Sequence, residues 1–172
     1  NGNPRQVAQA AAMINAAQRP LLLVGHGVIL SGAEAVLRDL AERAEIPVVT
    51  TLLGIGALPQ THPLSLGMAG MHGEAYANLA IQEADTIVAV GMRFDDRLTG
   101  TLHAFAPKAA IIHIDIDPAE IGKNVAVELP IVGDAGAVLR SLLPQVQPAR
   151  HPTWLAQIAA WRADSAARDI LN

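Results

Sequence analysis

The sequence has no cysteine. Disulfides, thiolate metal sites and cysteine nucleophiles are therefore excluded, and a reducing cytoplasm is a compatible setting. Aromatic residues are scarce: Trp154, Trp161, Tyr76, Phe94 and Phe105 are the whole set. So few cannot form a stacking platform for single-stranded nucleic acid. Basic clusters are missing as well. With 12 Lys and Arg against 16 Asp and Glu, the formal net charge is −4. Neutralising duplex phosphates needs clustered Lys and Arg, so nucleic acid is not an expected partner. No apolar run approaches the roughly 18 residues of a membrane span. Asn1-Gly2-Asn3-Pro4 also lacks the basic-then-apolar order of a secretory signal. These absences point to a cytoplasmic protein without membrane contact. The first residue is Asn1 rather than Met, as in a segment of a longer chain, a processed product or a cloning remnant.

What is present is aliphatic. The 172 residues are 51% hydrophobic, enough for one domain with a core of Ala, Val, Leu and Ile. Short apolar runs at Leu21–Val24, Val48–Thr51, Thr86–Val90, Ala110–Ile114 and Pro130–Val132 read as parallel strands covered on both faces. Helical patterns alternate with them. Asn3-Pro4 reads as an N-cap followed by Pro in the first turn, with Val7, Ala10, Ala11 and Ile14 on one face. Ser31-Gly32-Ala33-Glu34 reads as a capping box before Val36, Leu37, Leu40 and Ala44. Glu34 with Arg38, and Asp39 with Arg43, are spaced as ion pairs. Asp117 caps a short helix that Gly122 ends, and Asp134 caps another with Ala135, Val138, Leu139 and Leu142 inward and Pro144 as the stop. This alternation predicts an α/β fold, a doubly wound parallel sheet with helices on both faces. Residues 1–146 form that domain, and Gln147–Pro152 reads as a linker. Thr153–Asp169 then forms an amphipathic helix with Trp154, Ile158 and Trp161 on one stripe. That stripe packs either back onto this domain or onto a neighbour.

Open parallel sheets bind ligands at the carboxyl ends of their strands, and four strand-end segments are unusual. Gly25-His26-Gly27 follows the first strand and would let backbone amides approach a phosphate, or simply make a tight turn. The dinucleotide fingerprint G-x-G-x-x-G fails at Leu30, and Thr50-Thr51 offers no acid for a ribose. Gly67-Met68-Ala69-Gly70-Met71-His72-Gly73 reads as a loop leading into the helix Glu74–Glu83. His72 there is either solvated or ligand-facing. Gly91-Met92-Arg93-Phe94-Asp95-Asp96-Arg97 follows the third strand candidate. Arg93 can present its planar fork to a diphosphate, and Asp95 can accept from sugar hydroxyls or hold Arg93. The bland alternative is a solvated salt-bridge cluster. In His113-Ile114-Asp115-Ile116-Asp117, alternation places the His and both Asp on one side. A metal set is one reading of it. A helix cap at Asp117 and a ribose or adenosine partner at Asp115 is the better one.

Two of these segments carry a resemblance. The stretch from Gly67 to Gly100, GMAGMHGEAYANLAIQEADTIVAVGMRFDDRLTG, resembles the central-domain signature of acetolactate synthase (acetohydroxyacid synthase) large catalytic subunits. The run IIHIDIDPAEIGKN with PIVGDA, Ile111 to Ala135, resembles the middle domain of thiamine-diphosphate enzymes more generally. The likeness extends from the first helix to about Leu143. It implies a six-stranded parallel Rossmann-like domain between two thiamine-diphosphate-binding domains of the same chain, with FAD along the strand ends. The contacts it implies are Gly25, Gly27, Thr51, Leu52, Met71, His72, Gly73, Gly91, Arg93, Asp95, Asp115, Ile116 and Asp134. Met71, Asp96 and Arg97 would also face the substrate and inhibitor channel. His26 stands where the family more often has a small residue. The implied reaction is a carboligation in branched-chain amino-acid biosynthesis: pyruvate loses CO2 and the remaining two-carbon unit joins pyruvate or 2-ketobutyrate. FAD is implied to be architectural.

Thiamine diphosphate and Mg2+ would be held mainly by the other domains. Gly133-Asp134-Ala135-Gly136 does not complete the thiamine-diphosphate motif, because its third residue is Ala and no paired Asn follows. No catalytic or metal-binding residue is therefore assigned to this segment, and alone it is expected to be inactive. Residues 147–172 would lead to the C-terminal cofactor domain. The full enzyme would be a homodimer or larger, with a regulatory small subunit as a further partner. Two alternatives stay open: a stand-alone nucleotide- or flavin-binding module, and the middle domain of a relative such as a glyoxylate carboligase or an oxalyl-CoA decarboxylase.

Overall fold

Asn3 opens the structure as its side chain requires. Its Oδ1 accepts from the backbone N–H of Arg5 at 2.9 Å and of Gln6 at 3.4 Å, satisfying donors that a helix start leaves orphaned. Helix α1 (Pro4–Ala16) then buries Val7, Ala10, Ala11 and Ile14. The computed structural model describes residues 2–70, 73–94, 105–122 and 125–171, and side chains up to residue 168. The candidate site residues Met71, His72, Asp95, Asp96 and Arg97 lie outside the described residues.

The chain continues through β1 (Pro20–Val24), α2 (His26–Leu30), α3 (Glu34–Ala44), β2 (Val48–Thr50), β3 (Ser65–Met68), α4 (Ala75–Glu83), β4 (Thr86–Val90), β5 (Ala110–Asp115), β6 (Leu129–Val132), α5 (Ala135–Leu142) and α6 (Pro152–Leu171). Short 3-10 turns at Leu52–Gly54 and Pro118–Glu120 follow β2 and β5. The strands form one six-stranded sheet in the order β3-β2-β1-β4-β5-β6, parallel at every pairing. This is the doubly wound order, in which the direction of winding reverses between β1 and β4. The central strands alternate their side chains between two cores. Leu22, Val24, Val88, Val90, Ile112 and Ile114 pack with α1, α3 and α5. Leu21, Leu23, Ile87, Ala89 and Ile111 pack with α4 and α6.

Three expectations are corrected. Strand β3 occupies part of the segment read as a loop beginning at Gly67. It is a short edge strand, registered at Val48↔Ser65 and Thr50↔Met68 with an irregularity between them. Gly67 sits in it at φ +81°, a conformation that breaks the usual strand pattern. The Ser31 capping box does not form. Ser31 instead closes α2, its hydroxyl donating to the Val28 carbonyl at 3.4 Å, and Ala33 stands at the N-cap of α3 without a side-chain cap. The ion pairs of α3 also differ. Arg38 reaches forward to Glu42 at 2.9 Å, and Arg43 donates to the Val146 carbonyl. These partners come from tertiary geometry that spacing along one helix does not encode.

The last helix returns to this domain. Trp154 and Ile158 are 2% and 3% exposed, and the Trp154 Nε1–H donates to the Pro20 carbonyl at 2.8 Å. Trp161 meets Trp154 edge to face at 6.0 Å. Further along, Arg162 lies over the Tyr76 ring at 4.7 Å and donates to the Ser65 carbonyl at 2.8 Å. The connecting segment is also tied down. Glu45 accepts from Arg150 at 2.9 Å and from the His151 N–H at 3.0 Å. The His151 backbone hydrogen bond, then the Arg150 side-chain hydrogen bond, lower the Glu45 pKa below the usual carboxylate value.

Trp154→Ala should destabilise the protein by about 3–5 kcal/mol, the range for deleting a large buried side chain. Trp154→Phe keeps most of the ring but strands the Pro20 carbonyl, and should cost about 1–3 kcal/mol. Urea unfolding midpoints of the two variants check the order.

Candidate functional site

At the reversal point the first strand-end loop meets the loop after β4. The Gly27 N–H donates to the Gly91 carbonyl at 2.9 Å, and the Gly25 N–H donates to the Val90 carbonyl at 3.0 Å. The backbones touch. A Cβ on Gly27 would lie 2.6 Å from Gly91 Cα, and one on Gly91 would lie 2.7 Å from Gly27 Cα. A Cβ on Gly25 would lie 2.5 Å from the Met92 Cβ. Gly91 also turns the chain at φ +60°. The demand for glycine at these positions is thus met inside the protein, by loop against loop.

Above this seam lies a cleft of about 1060 Å³. Its walls bring together eight of the predicted residues: Gly27, Thr51, Leu52, Gly91, Arg93, Asp115, Ile116 and Asp134. Gly25 supports it from beneath as the N-cap of α2. Gly73 is not on this wall. It borders a smaller cavity of about 470 Å³ beside β3, with Ser65, Glu74, Tyr76 and Arg162. A Cβ on Gly73 would fall 2.2 Å from the Met68 carbonyl oxygen, so that glycine too is required by its own backbone.

The cleft is largely apolar. Leu30, Leu52, Leu53 and Ile116 stand on its wall with 62–75% of their surface exposed. Uncovered apolar side chains around one concavity mark a surface that another molecule covers. Leu30, which broke the dinucleotide fingerprint, is one of these walls. The polar groups are few and placed. Arg93 donates to Glu120 Oε1 at 3.1 Å while keeping 71% of its side chain exposed. Asp115 Oδ1 accepts from the Asp117 N–H at 2.9 Å, Asp117 Oδ1 from the Ala119 N–H at 2.9 Å, and Asp134 Oδ2 from the Ala137 N–H at 3.0 Å. These bonds fix the carboxylates and leave acceptor capacity on each of them. His26 spans two walls, its Nδ1 lying 3.2 Å from the Leu53 carbonyl. The inventory suits a ligand with an apolar body, several hydroxyl or amine donors and one anionic segment.

Sequence reasoning missed Glu120, Leu53 and Ala69 on this wall. Glu120 is 27 residues from Arg93, and only the adjacency of β4 and β5 brings them together. Among the described residues, no cluster of three or more His, Asp or Glu could hold a metal ion. No helix there is long and apolar enough to cross a membrane.

A parallel doubly wound sheet with a cleft at its switch point defines the class as a Rossmann-like α/β domain. The chain belongs to the thiamine pyrophosphate enzyme central-domain family, which it matches over residues 7–142. It is 54% identical over 160 residues to the probable acetolactate synthase large subunit of Methanocaldococcus jannaschii, covering 91% of this chain and 27% of that protein. It is 55% identical over 145 residues to the acetolactate synthase of Arthrospira platensis, covering 83% of this chain and 25% of that protein. It is 51% identical over 159 residues to the acetolactate synthase large subunit of Mycobacterium tuberculosis, covering 92% of this chain and 26% of that protein. The chain thus spans about a quarter of the length of the curated relatives it matches.

Gly91→Ala should destabilise by about 2–5 kcal/mol, from left-handed backbone strain plus overpacking against Gly27. Gly32→Ala is the control, because Gly32 at φ +63° has open space around its Cβ position. It should cost only about 1–2 kcal/mol. Denaturant midpoints separate the two.

Proposed function

We propose that this chain is the FAD-binding central part of an acetolactate synthase catalytic subunit. The observation that carries the reading is the switch-point cleft, in which Arg93, Asp115 and Asp134 converge on an apolar wall. Its volume sits at the upper end of ordinary small-molecule sites, as a dinucleotide needs. Arg93 would face the diphosphate, with Gly25 and Gly27 shaping the backbone floor beneath it. Asp115 and Asp134 would accept from ribose or ribitol hydroxyls. Leu52, Leu53 and Ile116 would cover the flavin and adenine rings. The residues present therefore fit the group. Met71 and His72, which follow Gly70 of the cleft wall in sequence, and Asp95, which follows Phe94, would add further contacts, while Gly73 would shape the turn before α4.

The reaction proposed for the whole enzyme condenses pyruvate with pyruvate or 2-ketobutyrate, with loss of CO2. Thiamine diphosphate, with Mg2+, supplies carbanion stabilisation when bound. The residues of this chain bind and orient the flavin nucleotide and exclude water from it. Asp96, Arg97 and Met71 are proposed to border the substrate channel. Residues 147–172 are proposed to lead to a C-terminal thiamine-diphosphate domain, with a matching N-terminal domain before Asn1. A homodimer or larger assembly, a regulatory small subunit and a cytoplasmic location belong to the same proposal.

In the full-length polypeptide, Arg93→Ala should raise the FAD Kd by about 10–100-fold, the loss of a charge-assisted contact. Flavin-fluorescence titration checks it, and an unchanged Kd would remove Arg93 from the site. The purified 172-residue chain, given both cofactors and pyruvate, should form no acetolactate. Product above the enzyme-free control would overturn the division of labour proposed here.

A further inference from the structure

One histidine sits where an aliphatic residue would be expected. His113 lies on β5, on the sheet face that buries Ile111 and Leu23, and it is 0% exposed. Burying an imidazole costs free energy unless its polar atoms find partners. Here the Nε2 atom lies 2.9 Å from the Met92 carbonyl oxygen. A carbonyl only accepts, so the proton is on Nε2. The Nδ1 atom is buried without a hydrogen-bond partner. Placing a second proton there would bury both a charge and an unmet donor.

The surroundings agree with a neutral ring. Its neighbours across the sheet are Ala89 on β4 and Pro130 on β6, neither of them charged. Phe94 meets it edge to face at 5.0 Å, and Phe105 meets Phe94 at 5.4 Å. The charged groups that act on it are Asp115, 3.8 Å from Nε2, and Glu120. Burial outweighs the bond to Met92 and both carboxylates, and lowers the His113 pKa below its ordinary 6.5.

What the histidine holds is the turn that leaves β4. Met92 is bonded to His113 through its carbonyl and Phe94 through its ring, and Arg93 between them faces the cleft. Two residues along β5, Asp115 lines the same cleft. We propose that His113 is a positioning residue: it locks the Met92–Phe94 turn onto β5 and so sets the distance between Arg93 and Asp115 that the bound dinucleotide spans. The inference rests on the flavin reading of the cleft for its ligand, but the lock itself does not.

The test uses the full-length polypeptide with two substitutions. His113→Phe keeps the ring contact with Phe94 and removes the donor. His113→Gln carries a side-chain amide donor towards Met92 and cannot titrate. At pH 8, His113→Phe should raise the FAD Kd by about tenfold, the loss of one buried hydrogen bond's worth of positioning, with His113→Gln restored to within about threefold. Amide exchange at Met92, Arg93 and Phe94 should rise by about tenfold in His113→Phe, while that of β1 stays unchanged. Wild-type FAD affinity together with wild-type exchange in His113→Phe would overturn the proposal. If the wild-type enzyme binds no FAD, the flavin reading fails, and the exchange data alone decide on the lock.

Should His113→Phe not fold, the wild type still answers. Nitrogen NMR of its imidazole should show the neutral, Nε2-protonated form as the main species at pH 6.5, where an ordinary histidine is about half charged. An Nδ1-protonated neutral ring, with Nε2 bare, would overturn the proposal. The linkage has a definite sign. The unfolded chain takes up a proton on this histidine near pH 6.5 while the folded chain resists it. This contribution to stability is therefore full above that pH and is lost as pH falls towards the lowered pKa. His113→Gln should flatten the stability–pH curve in that window, and an unaltered curve would contradict a neutral buried ring.

Discussion

The contact between Gly27 and Gly91 governs the geometry of everything above it. Two loops leave neighbouring strands and wind to opposite faces of the sheet, and their backbones meet at hydrogen-bond distance with no room for a Cβ on either side. Such a seam fixes how far apart the two halves of the fold stand at their carboxyl ends. The cleft is the space left where they diverge. Its floor is backbone, which holds its shape, while its apolar walls are side chains that a ligand can press against. This division explains why the glycines here are structural even though they border the cleft. A glycine beside a cleft invites the conclusion that a phosphate needs the space, and in this fold the neighbouring loop has already taken it.

The sequence discloses the fold wherever a physical rule acts locally. Continuous aliphatic runs mark the buried parallel strands, because a strand covered on both faces has no polar side to show. Asn3, Asp117 and Asp134 mark helix starts, because each satisfies backbone donors within three residues of itself. The rule fails where two local signals compete. Ser31 could start α3 or end α2, and only the presence of α2 decides it. Strand β3 escapes notice because Gly67 lies within it and only two of its pairs are in register. An edge strand of four residues carries too little periodicity to outweigh a glycine.

The site divides in the same way. Strand-end loops are identifiable because parallel sheets place their ligands there, and Arg93, Asp115 and Asp134 stand out as charged residues at those ends. Their cross-partners are not identifiable. Glu120 beside Arg93 and His113 beneath Met92 depend on which strands are neighbours, a fact that no spacing along the chain contains. The comparisons with known proteins supply the family, and the geometry supplies the joint between β4 and β5. Neither substitutes for the other.

The final helix settles a matter of assembly. Arg162 occupies the Ser65 carbonyl at one margin of the sheet. At the other margin Pro130 stands in β6, with no N–H to offer an incoming strand. Both borders are therefore poor templates for a foreign β-strand. Extension of the sheet by an incoming strand is thereby disfavoured at each border.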